Sequence, residues 1–178
     1  MKDVIVEGPD GGGKTSLVRF LHETLGLPMP SRSSTSTGGP IPNLADWIKD
    51  QAIWPKGSIP HSRLYDRHPI ISEPIYGRLV RPGSQVQAPL DDERYQRDVR
   101  AYLYEHAVVV WALPDLATVH ANVLDSRADQ MPGVTANIGR VHQAYMTAYF
   151  RWRGIKRQYD YNRHDKDILA KDLLGLIR

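Results

Sequence analysis

The sequence predicts an α/β fold, a three-layer sandwich with a mostly parallel five-stranded sheet, helices on both faces and a small lid. Three observations predict it. Short β-branched or apolar runs alternate with stretches of helical periodicity along the whole chain. The segment Ala107–Leu113 (AVVVWAL) is a continuous apolar run of strand length, as expected of a strand covered on both faces. A glycine-rich turn separates the first apolar run from the first amphipathic segment.

Val4-Ile5-Val6 is the first strand. From Lys14 to Leu25, Leu17, Val18, Phe20, Leu21 and Leu25 recur at helical spacing, and Gly26 supplies the stop. Residues 27–42 (LPMPSRSSTSTGGPIP) carry four prolines, two glycines and a Ser/Thr cluster, which reads as a loop with one short strand at its start. Asn43 is a cap for a helix reaching Trp54. Ser62–Asp66 is the next strand, and a helix is expected from Ile71 to Val80. Pro82–Pro89 is a loop, and Asp91–His106 a polar-faced helix with Tyr95, Val99, Tyr102 and Leu103 inward. After AVVVWAL, Pro114 introduces a helix to Leu124, the break SRADQMPG follows, and a further helix runs from Val134 to Trp152. Tyr159-Asp160-Tyr161 is the expected last strand, with a terminal helix from Asp165. No repeat or composition break divides residues 1–178, so one domain is expected, with the lid at about 126–134.

Composition narrows the function classes. Hydrophobic residues at 41% and charged residues at 24% are ordinary for a soluble globular chain. No apolar run approaches the ~20 residues of a membrane helix, and Met1-Lys2-Asp3 enters the first strand with no signal-peptide core. With no cysteine, neither disulfides nor thiolate metal sites can form, and the seven histidines show no metal-ligand spacing. A cytoplasmic protein of a bacterial or phage-infected cell is expected, with a homodimer left open. The pI of 9.2 rests on a formal charge of only +3, which is compatible with a polyanionic substrate without demanding one.

The chemistry is concentrated in Gly8-Pro9-Asp10-Gly11-Gly12-Gly13-Lys14-Thr15, a full match to G-x-x-x-x-G-K-[ST]. By chance this pattern arises in roughly one chain of this length in 150. Here it also lies between a strand and an amphipathic helix, as its mechanism requires. Gly8, Gly11, Gly12 and Gly13 let successive backbone N–H groups turn into one concavity for phosphate oxygens, and the backbone N–H groups of Lys14, Thr15 and Ser16 add the helix dipole. Lys14 supplies a point charge for the β- and γ-phosphates of ATP, and Thr15 a hydroxyl ligand for Mg²⁺.

Further segments resemble the thymidylate kinases, in a phage-type form. Glu7-Gly8-Pro9-Asp10-Gly11 is similar to their version of the loop, in which an acidic residue contacts the acceptor sugar, a role that falls on Asp10. Tyr65-Asp66-Arg67-His68-Pro69 resembles the Asp-Arg motif they share with viral thymidine kinases, and Ser72-Glu73-Pro74-Ile75-Tyr76-Gly77 their Ser…Tyr-x-Gly helix beside the acceptor. SRADQMPGV lies where their lid does. The chain departs from the family in its length and in lacking the aromatic and Arg-Glu-Pro elements that hold thymine. The resemblance implies an ATP-dependent kinase acting on a (deoxy)nucleoside monophosphate.

Residue chemistry and the resemblance together assign roles. Arg67, at a strand's carboxyl end, is a candidate clamp for an acceptor phosphate, with a structural ion pair to Asp66 or Glu73 as the alternative. Asp66 is a candidate Mg²⁺ ligand or proton acceptor, and Arg127 of the lid a candidate for neutralising the transferring phosphoryl group. Glu73 and Tyr76 are candidate acceptor-site residues, while His68 reads as a packing histidine. Two other functions stay open. One is phosphorylation of a hydroxymethylated pyrimidine within phage DNA, favoured by the missing base-pocket elements and the basic pI. The other is a non-enzymatic nucleotide switch.

Overall fold

The computed structural model describes residues 1–29, 33–34, 40–44, 46–48, 62–82, 93–126 and 130–177. Strand β1 (Asp3–Glu7) leads to helix α1 (Lys14–Leu25), and β2 (Leu64–Asp66) to α2 (Pro69–Leu79). Helix α3 (Glu93–His106) runs into β3 (Ala107–Ala112), which is followed by α4 (Leu116–Asp125), α5 (Val134–Arg151), β4 (Ile155–Tyr159) and α6 (Lys166–Ile177). The strands stand in the order β2-β1-β3-β4, and every pair is parallel.

Side chains of β1 alternate across the sheet, as the two-residue period of a strand demands. Val4 and Val6 pack with Leu64, Val108 and Val110 against α1 and α6, through Leu17, Leu21, Leu169 and Leu173. Ile5, Tyr65, Val109 and Trp111 face the other layer, formed by α2, α3, α4 and α5. The three layers are therefore as expected. Leu44, Trp47 and Ile48 join the second layer, and Trp47 N–H bonds to Asn43 O (3.0 Å) as in a helix start; the rest of the helix expected to reach Trp54 lies outside the described residues.

Two expectations are corrected. Among the described residues the sheet has four strands, not five. Pro28 O accepts a bond from Leu64 N–H (3.0 Å) where the short strand after the first helix was expected, but in a parallel ladder the return donor would be residue 30, a proline with no N–H, and no strand pair forms there among the described residues. The last strand is Ile155–Tyr159 rather than Tyr159–Tyr161. It is a sheet edge, only partly buried until Tyr159, so polar Lys156, Arg157 and Gln158 are tolerated there. Asp160 instead turns the chain toward α6, accepting from Asn162 N–H (3.0 Å). Among the described residues no helix is long and apolar enough to cross a membrane.

Candidate phosphate-binding and acceptor site

The carboxyl ends of β1, β2 and β3 converge on the Gly8–Thr15 loop, where parallel α/β sheets bind ligands. Gly8 leaves β1 at φ 149°, and a Cβ there would stand 2.3 Å from Ala112 O, so only glycine lets the loop pass over β3. Gly13, at φ 81°, caps α1 without a side-chain bond, leaving the helix N-terminus bare for a ligand. Thr15 and Ser16 follow on the exposed side of the first turn. Outside the loop, Asn122 of α4 donates to Gly11 O (2.8 Å) and to the Tyr161 hydroxyl (2.7 Å), and the Tyr161 ring lies against Gly13. Neither residue was singled out by the sequence.

Lys14 is buried, with 7% of its surface exposed. Its ammonium donates to Pro9 O across the loop (2.6 Å). Burial, and next the Arg67 charge, lower its pKa to about 8. Such a cation is poorly compensated by protein and suits a polyanion.

Beside the loop, a bonded cluster joins four elements. Arg67 Nη2 is ion-paired to Asp10 Oδ1 (2.7 Å) and donates to the Tyr76 hydroxyl (3.0 Å), while Nη1 donates to the Tyr145 hydroxyl (3.2 Å). Tyr76 donates to Asp10 Oδ2 (2.9 Å) and accepts from Asp10 N–H (3.1 Å). Its ring also carries the guanidinium, 4.6 Å from the centroid. Tyr145 passes the chain on to Glu7 Oε2 (3.2 Å), whose Oε1 accepts from His68 N–H (2.7 Å). Arg67 takes a left-handed backbone, φ 69°, uncommon for a residue with a Cβ. Its own N–H stays bonded to Val6 O (3.0 Å), and the turn sends the chain from β2 into α2.

The electrostatics differ between the carboxyls. Burial drives Glu7 up to about 7, against the opposing pull of Arg67, the His68 amide and Lys14. Burial also pushes Asp10 up, but Arg67, Lys14 and the Tyr76 hydroxyl outweigh it and hold Asp10 below the usual carboxylate range. Asp66 ends β2 beside Val6, and its charge acts on Lys14. His68 is buried and driven down to about 3; its ring nitrogen accepts from Ile70 N–H (3.3 Å) and caps α2, the packing role expected of it.

Asp10, Arg67 and Tyr76 are thus brought together beside Lys14, whereas Glu73 is not with them. Its carboxylate is paired with Arg81 (2.5 Å) near the end of α2. Arg67 pairs with Asp10 rather than with Glu73, one of the partners the sequence left open. Arg127 lies outside the described residues. On either side of it, Gln130 bonds back to the Ser126 hydroxyl (2.7 Å), and Met131-Pro132-Gly133 turns the chain into α5. Glu7 and Tyr145 are the cluster members the sequence reading missed. The one available sign was a carboxylate closing an otherwise apolar strand.

Comparison with known proteins places this geometry in a fold group. No protein-family model matches the sequence, and no curated protein does. Among solved structures, the chain is similar to the YorR protein of Bacillus subtilis in complex with phosphorylated GDP. The TM-score is 0.71 at 20% identity, over 98% of this chain and 94% of that one. It is also similar to deoxyadenosine kinase from M. mycoides with dCMP and dCDP bound (TM-score 0.60, 11% identity, 99% and 97% covered). Shikimate kinase from Acinetobacter baumannii matches with a TM-score of 0.53 at 18% identity, over 99% and 93%. The chain has the α/β fold of P-loop kinases.

Proposed function

We propose that this chain is an ATP-dependent phosphotransferase that moves the γ-phosphoryl group of ATP to the phosphate of a (deoxy)nucleoside monophosphate, in the manner of thymidylate kinases. The observation that carries the proposal is the Arg67 guanidinium, fixed by Asp10, Tyr76 and Tyr145 beside a complete phosphate-binding loop. The loop amides and Lys14 take the ATP phosphates. Arg67 holds the acceptor phosphate, and Asp10 and Tyr76 receive the sugar. Their mutual bonds pre-set these groups, so little ordering is left for the moment of reaction. An acceptor phosphate oxygen is already anionic. It forms the new O–P bond as the bond to the ADP leaving oxygen breaks, and no general base is needed. Thr15 and Asp66 are the residues that would hold Mg²⁺, which when bound neutralises phosphate charge. Thr15 fits this by its exposure at the start of α1, and Asp66 by its place at the end of β2 next to Lys14.

A second reading has one specific observation in its favour. Three carboxyls, Glu7, Asp10 and Asp66, stand around Lys14, a group able to take a proton from a hydroxyl acceptor such as a hydroxymethylated pyrimidine in phage DNA. Two substitutions separate the readings at saturating Mg²⁺. On the proposed function, Arg67→Ala is severely impaired and Asp66→Asn only modestly. A base acting on a hydroxyl contributes about 10²–10⁴-fold, so collapse of Asp66→Asn with Arg67→Ala tolerated would install the second reading.

A further inference from the structure

Two residues distant in sequence hold the phosphate-binding loop from outside: Asn122 on α4 and Tyr161 in the turn between β4 and α6. Gly11 takes φ 72° and passes so close to α4 that a Cβ there would stand 2.7 Å from Val119 O. At that crossing Asn122 Nδ2 donates to Gly11 O (2.8 Å) and to the Tyr161 hydroxyl (2.7 Å). Gly11 O can only accept, so the amide nitrogen must face the loop, and both of its hydrogens are in use. The Tyr161 ring closes in on the next turn of the loop, where a Cβ on Gly13 would stand 2.8 Å from Tyr161 Cδ1. The ring is itself preset, because Asp160 accepts from the N–H groups of Asn162 (3.0 Å), Arg163 (2.9 Å) and His164 (2.8 Å).

Together these bonds fix one peptide of the loop. Gly12 N–H donates to Pro9 O (3.2 Å), the same oxygen that accepts from the Lys14 ammonium (2.6 Å). The Gly11–Gly12 peptide is thereby held at both ends, its N–H by Pro9 and its carbonyl by Asn122. Glycine takes either sign of φ about as readily, so the pair itself offers little resistance to inversion of this peptide. An inverted peptide would carry an oxygen on the side of Pro9 O and Lys14, where it competes with phosphate oxygens for the ammonium. The bond to Asn122 disfavours that arrangement before any ligand arrives, which is how a supporting residue preorganises a site it does not touch.

We infer, on the reading of Gly8–Thr15 as the ATP site, that Asn122 and Tyr161 are positioning residues of this phosphotransferase. They keep the loop in its phosphate-accepting shape, acting through Gly11 and Gly13 rather than on the ligand.

Inorganic tripolyphosphate isolates the loop from the base and sugar of the nucleotide. It and ATP, each with Mg²⁺, are titrated calorimetrically into the whole chain. Asn122→Ala should raise both dissociation constants by the same factor, roughly tenfold, and Tyr161→Phe, which keeps the ring, by roughly threefold. Tyr161 is 38% exposed, so its variant serves as the second measurement should Asn122→Ala melt early. In ¹⁵N-glycine-labelled protein without ligand, the Gly12 amide signal should shift or double in Asn122→Ala and return toward its wild-type position with tripolyphosphate. A purely structural role would lower the melting temperature and leave the affinity of the folded protein unchanged. Wild-type tripolyphosphate affinity in both variants, or an unmoved Gly12 signal, would overturn the inference and leave the ATP site standing. Weakened ATP binding with unchanged tripolyphosphate binding would also overturn it, by moving these residues from the loop to the base. A wild-type chain that binds neither ligand would overturn the reading of the loop, and this inference with it.

Discussion

Replacing Glu7 by glutamine isolates the least expected feature of the site. The Glu7 carboxyl is fully buried at the end of β1, compensated by Arg67, the His68 amide, Lys14 and the Tyr145 hydroxyl. Its pKa rises from 4.5 to about 7. A group whose folded pKa exceeds its unfolded value contributes stability that is complete below the unfolded value and is lost as pH rises through the folded one. The window therefore runs from about pH 4.5 to 7, and at ~1.4 kcal/mol per pH unit the loss amounts to about 3 kcal/mol. His68, lowered from 6.5 to about 3, acts in the opposite direction over part of this window, so the wild-type curve alone is ambiguous. The substituted amide retains an oxygen for His68 N–H and does not titrate. Urea unfolding of both proteins at pH 4.5 and 7.5 removes the common contributions by difference. Relative to wild type, Glu7→Gln should gain about 3 kcal/mol on going from the lower to the higher pH. An unchanged difference between the two pH values would refute the buried, compressed carboxyl.

Three further outcomes follow from the same geometry. Lys14→Ala should fold normally, because it removes a buried cation whose pKa is already lowered to about 8. Its phosphoryl transfer should fall roughly 10³-fold or more, and a normally melting variant with substantial activity would break the assignment. Gly8→Ala places a methyl group against Ala112 O at a positive φ, so melting should drop by roughly 5 °C or more; an unshifted transition would show that the loop path is not tied to β3. The segment 126–134 should become protected from hydrogen exchange with a non-hydrolysable ATP analogue if it closes as a lid, and indifference to the analogue would remove that role.

Local pattern makes much of the fold legible in the sequence. The helices beginning at Lys14 and near Val134, and the strand Ala107–Ala112, were visible because each combines a clean period or apolar run with turn residues at its ends. The edge strand Ile155–Tyr159 was not. Its Lys156 and Arg157 resemble a solvated loop, and their roles appear only in three dimensions, with Lys156 Nζ bonded to Tyr149 O (2.7 Å) and Arg157 to Asp172 (2.6 Å). The phosphate loop is contiguous and therefore readable. The acceptor cluster joins residues as far apart as Glu7 and Tyr145, and Tyr145 carries no local mark that distinguishes it from the other aromatics of its helix. Burial of Lys14 was likewise invisible, because it depends on how the loop folds back onto Pro9 O.

The central claim is most directly tested by supplying γ-labelled ATP and Mg²⁺ to the purified protein with deoxynucleoside monophosphates, nucleosides and hydroxymethylated DNA in parallel. Label should appear in a deoxynucleoside diphosphate, in wild type but not in Lys14→Ala. Label confined to DNA or to a nucleoside, or released only as inorganic phosphate, would contradict the account.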